Sequence, residues 1–125
     1  MEIDNIGGGG VLAKQASKDD IVSFLSHAKE LVSTGRYAFI PRRKNMQSLA
    51  QYGLTVADAK DEILDLVDTD YYKGPKKDFD LDRPGDIWEF KKDIDGTTFY
   101  IKLKIDKTDD RSILKCIGFH EDEFS

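Results

Sequence analysis

The chain has 125 residues, 39% of them hydrophobic and 34% charged, a net charge of −5 and one cysteine, Cys116. That length suits one domain able to bury its own core, and no apolar run nears the roughly 20 residues of a membrane helix. A lone thiol excludes an internal disulfide and a thiolate metal site, and overall acidity argues against nonspecific attraction to nucleic acid. A soluble protein of a reducing, cytoplasmic compartment is expected, without membrane attachment, metal or cofactor.

The opening "MEIDNIGGGG" has neither the basic start nor the apolar stretch of a signal peptide. Gly7 to Gly10 cost too much backbone entropy for a regular element. Residues 1–16 are therefore expected to form a flexible arm or linker, and residues 17–125 a single domain. Ser17 followed by Asp20 resembles a capping box. Ile21, Phe24, Leu25, Ala28, Leu31 and Val32 keep one helical face up to Gly35. His27 falls opposite that stripe.

In "RYAFIPRRKN" the helical period breaks: "YAFI" favours extension, Pro41 disfavours a helix just before it, and Asn45 is placed to cap the next one. Met46, Leu49 and Ala50 give that helix its apolar side, and Gly53 ends it. Thr55 with Asp58 starts a third helix whose stripe is Val56, Ala59, Ile63 and Val67, supported by Leu64 and Leu66. Two short helices here suggest a helix-turn-helix, but Asp58, Asp61, Glu62 and Asp65 on the second would repel DNA phosphates. Direct DNA binding is not expected.

From Asp68 to Asp86 no period survives, and Gly74, Pro75, Pro84 and Gly85 mark a long polar loop. The rest reads as three antiparallel strands. "DIWEFKK" and "TTFYIKLKI" flank the tight turn Asp95-Gly96, and "SILKCIGFH" follows a four-residue loop, Lys107 to Asp110. Helices first and a sheet second define an α+β fold, with N-terminal helices packed on a C-terminal antiparallel sheet.

The Asp-Gly turn sets a register. Phe90 falls opposite Ile101 and Trp88 opposite Leu103 on the core face; Glu89 falls opposite Lys102 and Lys91 opposite Tyr100 on the other. An ordinary cross-strand ion pair explains that second face. So does a site for an RNA phosphodiester, in which Glu89 is the base for a 2′-hydroxyl and Lys102 with Lys73 stabilises the phosphorane. Tyr100 then supplies a hydrogen bond or stacking surface, and His120 is the acid for the leaving oxygen. With the four-residue loop, strand parity puts His120 on the core side with Leu114 and Cys116. A bulge at Gly118, or the end of the strand after Phe119, would turn the imidazole round.

No acidic residue occurs between Glu30 and Asp58, where Arg42, Arg43 and Lys44 cluster. Lys73, Lys76 and Lys77 form a second basic group, and Lys102 with Lys104 a third. Together with Tyr72 these are the candidate RNA contacts. Tyr71 and Tyr72 suit either stacking on single-stranded RNA or covering the core edge.

The order "DYYKGP", "DIWEF", "FYIKLKI", "SILKCIGFH" resembles the MqsR-like toxins of bacterial toxin-antitoxin modules, over about residues 18–120. The resemblance implies a RelE-like fold, a metal-independent endoribonuclease that cuts mRNA to slow translation, and a cognate antitoxin that neutralises it and through which any DNA contact would run. Lys73, the residue after Trp88, Tyr100 and the residue after Phe119 match the family's active-site positions. Glu89 stands where the founding member has Gln, and His120 where it has Lys. The rival expectation is a noncatalytic interaction module that docks a protein on the basic face.

Overall fold

A computed structural model describes residues 15–78, 85–108 and 111–123. Three helices are followed by most of a five-stranded sheet, in the order β1-β5-β4-β3-β2. The α+β expectation holds, with one change: β1 (Tyr37–Phe39) runs parallel to β5 (Arg111–Glu121), so the sheet is mixed. Among the described residues no helix is long and apolar enough to cross a membrane.

Helix α1 (Lys18–Ser33) begins where Ser17 Oγ accepts from the Asp20 N–H at 3.1 Å, and it buries Ile21, Leu25, Ala28, Leu31 and Val32. Phe24 on the same helix stacks on Trp88, centroids 4.5 Å apart. Helix α2 (Arg43–Gln51) has Arg42 at its N-cap position, without a side-chain cap bond, and Asn45, expected as the cap, lies within the helix and is buried. Helix α3 (Val56–Leu64) opens on the expected Thr55/Asp58 capping box but stops short of residue 67. Met46, Val56 and Val67, expected to face inward, are 41%, 40% and 49% exposed; Ala59, Ile63 and Leu66 carry the packing.

The hairpin of β3 (Gly85–Ile94) and β4 (Thr97–Thr108) has the register read from the Asp-Gly turn: Glu89 faces Lys102, Phe90 faces Ile101 and Lys91 faces Tyr100. Asp95 (φ +52°) and Gly96 (φ +87°) adopt the left-handed backbone that twists with the strands. Phe90, Phe99, Ile101, Leu103, Leu114, Cys116 and Phe119 fill the core at 0% exposure against the helices. Each buried aromatic or aliphatic side chain is worth about 1.5–3 kcal/mol.

Two expectations for the chain beyond the hairpin need correction. Thr108 pairs with Arg111, so two residues and not four separate β4 from β5, and the register moves by two, which leaves parity unchanged. The supposed loop after Asp68 contains a 3-10 turn (Asp68–Asp70) and a fifth strand, β2 (Tyr71–Asp78), on the edge beside β3. A proline is tolerated at an edge, where one side of the strand needs no ladder partner. The flexible arm expected over 1–16 lies outside the described residues apart from Gln15 and Ala16. Gln15 bridges to Gly74, and the Ala16 N–H donates to the Tyr71 hydroxyl at 3.1 Å.

Candidate functional site

The sheet carries a cleft of about 380 Å³ on the face that bears Glu89 and Tyr100. Helix α2 contributes Lys44; β2 contributes Tyr72, Lys73 and Lys76; β3 contributes Glu89 and Lys91; β4 contributes Tyr100. The end of β5 and the residues after it add His120, Asp122 and Glu123. Alternation along β3 and β4 places their members: Trp88 and Phe90 go into the core, so Glu89 and Lys91 go to the other side. Strand β5 would send His120 inward but for a bulge. Lys102 pairs with Gly118 and Leu103 with Cys116, leaving Ile117 as the extra residue, after which Phe119 faces Ile101 and His120 faces Tyr100. The rings of His120 and Tyr100 lie 5.2 Å apart.

Gly118 makes that approach feasible. A β-carbon there would lie 3.1 Å from Lys102 Cβ, 3.6 Å from the Tyr100 ring and 3.8 Å from His120 Nε2, so a side chain would occupy the floor of the cleft. His120 Nδ1 is 2.9 Å from the Glu121 carbonyl oxygen. A carbonyl can only accept, so Nδ1 carries the hydrogen and Nε2 is the nitrogen left for exchange.

Glu89 is 2% exposed. Lys76 Nζ stands 2.7 Å from its Oε2 as an ion pair without hydrogen-bond directionality, so this buried oxygen has no directed donor. In the sheet register Glu89 stands opposite Lys73 on β2 and opposite Lys102 on β4. Burial first, then the hydrogen bond and charge of Glu89, hold the Tyr100 phenol well above its ordinary 10.0. Burial, then the charge of Lys76, lowers Lys102 below its ordinary 10.5; Glu89 and Asp78 oppose this and Arg42 adds to it.

Residues expected at the site fall into three groups. Lys73, Glu89, Tyr100 and His120 line one cleft, with Lys102 beside them and Lys44, Tyr72 and Lys76 at the walls. Arg42, Arg43 and Lys77 are exposed and do not line it. Lys104 is set apart from the other basic candidates: its side chain is 3% exposed and bonded to Asp78 at 2.7 Å, with Asp106 at 3.2 Å. The two tyrosines divide the readings between them. Tyr71 packs edge-on against Trp88 and Phe90, whereas Tyr72 is exposed, with Lys91 Nζ 4.1 Å from its ring centroid.

Lys91, Asp122 and Glu123 were not among the expected site residues. Lys91 Nζ pairs with Asp122 at 2.9 Å, and Lys44 with Glu123 at 2.7 Å. The strand parity that exposed Glu89 also placed Lys91, so that residue was readable. Asp122 and Glu123 follow the last strand, where periodicity carries no signal.

One consequence concerns alkali. Burial, then the charge of Cys116, also raises the Tyr37 phenol. Above about pH 10 the unfolded chain loses these two phenolic protons while the folded chain keeps them, so the unfolded state binds fewer protons and stability falls. Tyr37 and Tyr100 thus contribute stability that is complete below pH 10 and lost as pH rises toward their folded values. Urea unfolding between pH 8 and 11 should show the midpoint dropping in the upper part of that range. Tyr37→Phe and Tyr100→Phe should each flatten the drop.

A sheet face that gathers a carboxylate, a phenol, an imidazole and several ammonium groups in one cleft marks a small α+β protein with a polar, charge-rich surface among its described residues. The family model described as "Motility quorum-sensing regulator, toxin of MqsA" matches residues 22–121, and the chain belongs to that family of toxins from toxin-antitoxin modules. No curated protein matches it significantly.

Proposed function

We propose that the chain is an endoribonuclease toxin that cuts mRNA by transphosphorylation and is neutralised by a cognate antitoxin. The observation that carries this reading is the convergence of Glu89, Tyr100 and His120 in one cleft with Lys73 and Lys76, with Lys102 adjoining. In the proposed reaction Glu89 Oε2 accepts the proton of a 2′-hydroxyl, with the half-exposed Lys76 as the group that swings aside. The 2′-oxygen attacks phosphorus, and Lys73 and Lys102 stabilise the phosphorane charge. Tyr100 keeps Glu89 oriented through their hydrogen bond. As the P–O5′ bond breaks, His120 in its imidazolium form gives its Nε2 proton to the leaving oxygen and becomes the neutral Nδ1–H ring, leaving a 2′,3′-cyclic phosphate and a 5′-hydroxyl. RNA would run from this centre past Tyr72 and Lys44 toward Arg42 and Arg43.

A second reading, a noncatalytic docking face, draws on the Lys44–Glu123 and Lys91–Asp122 pairs, which already neutralise two of the cleft's cations. The two readings separate in one assay. Purified protein incubated with single-stranded RNA in EDTA should yield cyclic-phosphate ends, and Glu89→Gln should slow this by about a hundredfold. Expression without the antitoxin should arrest growth, and the same substitution should relieve the arrest. Intact RNA after prolonged incubation with folded, antitoxin-free protein favours the docking face.

A further inference from the structure

Helix α2 reaches across to the bulge of β5 through two buried polar side chains. Asn45, 1% exposed, donates from Nδ2 to the carbonyls of Ile117 at 2.9 Å and Ile40 at 3.0 Å, and its Oδ1 accepts from the Phe119 N–H at 2.9 Å. Ser48 Oγ, one turn along the helix, accepts from the Glu121 N–H at 3.0 Å. The peptide groups bound by these side chains flank His120 on both sides. The carbonyl of Glu121 is the acceptor for His120 Nδ1; it belongs to the next peptide group along, whose Asp122 N–H donates to the Thr98 carbonyl at 2.9 Å, so Ser48 holds the near side of the residue that His120 binds.

We propose that Asn45 and Ser48 are positioning residues that hold the β5 bulge so that His120 faces the cleft with Nε2 as its only exchanging nitrogen. Without the bulge, parity would return His120 to the side of Leu114 and Cys116, which are fully buried. Buried amide groups are rarely kept in a core unless every donor and acceptor is used. Asn45 uses both of its donors and its acceptor, and two of those three bonds go to residues 117 and 119. A purely structural α2–β5 contact could be made by apolar residues; Asn45 and Ser48 instead bind backbone groups of the one segment where the strand changes face.

The significance for catalysis rests on the ribonuclease reading, but the positioning can be measured without RNA. The full chain, 15N-labelled at histidine, would be compared with Ser48→Ala, Ser48→Thr and Asn45→Asp, with the exposed His27 as internal reference. In the unsubstituted protein the neutral His120 ring should report hydrogen on Nδ1. Ser48→Ala and Asn45→Asp should move it toward the Nε2–H tautomer and lower kcat for RNA by about tenfold or more, with KM changed by less than about twofold. Ser48→Thr keeps the hydroxyl and should restore both readings.

Should Asn45→Asp fail to fold, the two Ser48 variants, which alter a single contact, decide the matter. Folded Ser48→Ala protein with unchanged imidazole signals and unchanged kcat overturns the proposal. A tautomer shift in protein that cuts no RNA upholds the positioning and removes the nuclease.

Discussion

His120→Ala should lower the rate of RNA cleavage at saturating substrate by about 10²–10⁴-fold while RNA affinity stays within about threefold. The asymmetry follows from how the cleft divides its work. Under the proposed function, affinity for RNA would rest on the ammonium groups of Lys73 and Lys76, and on Lys44 once its Glu123 pair opens, none of which pairs with the imidazole. Under the same proposal, proton delivery falls to the imidazole, the side chain type suited to exchange near neutrality. The neighbouring alternatives are poorly tuned for it: burial and Glu89 raise the Tyr100 phenol, and Asp122 raises Lys91 by its hydrogen bond and charge against the effect of burial. The substitution removes one partly buried hydrogen bond, to Glu121, costing about 0.5–1.5 kcal/mol, so the fold should survive. Single-turnover cleavage of a short RNA, with binding measured on a 2′-deoxy analogue, separates the two effects. A variant that cuts within threefold of the unsubstituted rate moves the acid role elsewhere, with the adjoining Lys102, whose pKa is lowered chiefly by burial, as the next candidate.

What was legible in the sequence depended on whether a local signal fixed a long-range relation. Asp95-Gly96 did so: a two-residue turn leaves one register, and it put Glu89 beside Lys102 and Lys91 beside Tyr100. Thr55 and Asp58 likewise mark a helix start by their own chemistry. The β4–β5 turn lacked so sharp a signal, and its length was misjudged by two residues without changing which side chains face the cleft. Gly118 hinted at the bulge, and the hint mattered because the bulge decides the face of His120.

The rest was hidden for a common reason: the partner lies far along the chain. Asn45 has the residue type and position of a cap, yet its bonds reach residues 72 and 74 positions away. Lys104 looks like its neighbour Lys102 by parity, but the aspartates that enclose it come from two strands, β2 and β4 itself. Met46 and Val56 satisfy helical spacing and remain exposed because no element among the described residues covers that side of their helices, and Val67 lies beyond the end of α3. Strand β2 was lost because a Gly-Pro pair and three lysines resemble a loop. On the edge strand β3 supplies acids for all three: Lys73 lies opposite Glu89, Lys76 reaches the same carboxylate at 2.7 Å, and Lys77 lies opposite Asp86.

Gly74→Ala should test how far the cleft depends on that strand, and it should be among the most damaging single substitutions outside the core. Gly74 is buried and holds φ at +122°, a backbone region that side-chain-bearing residues rarely enter. A β-carbon there would lie 2.7 Å from the Ile87 carbonyl oxygen and 3.1 Å from Trp88 Cα, both main-chain atoms of β3 that cannot rotate away. Strain and overlap together should cost about 2–4 kcal/mol. The least costly relief is for β2 to move off β3. That would carry Tyr72, Lys73 and Lys76 out of the cleft and leave Glu89, otherwise 2% exposed, without the Lys76 pair. Stability and RNA affinity should therefore fall together, unlike the outcome for His120→Ala. Urea unfolding would read the first and binding of a 2′-deoxy oligonucleotide the second. Hydrogen exchange should localise the change to the amides of β2 and β3, with the β4–β5 ladder still protected. Loss of protection spread evenly over all the strands would mean that β2 is part of the global folding unit and not a separable wall of the site.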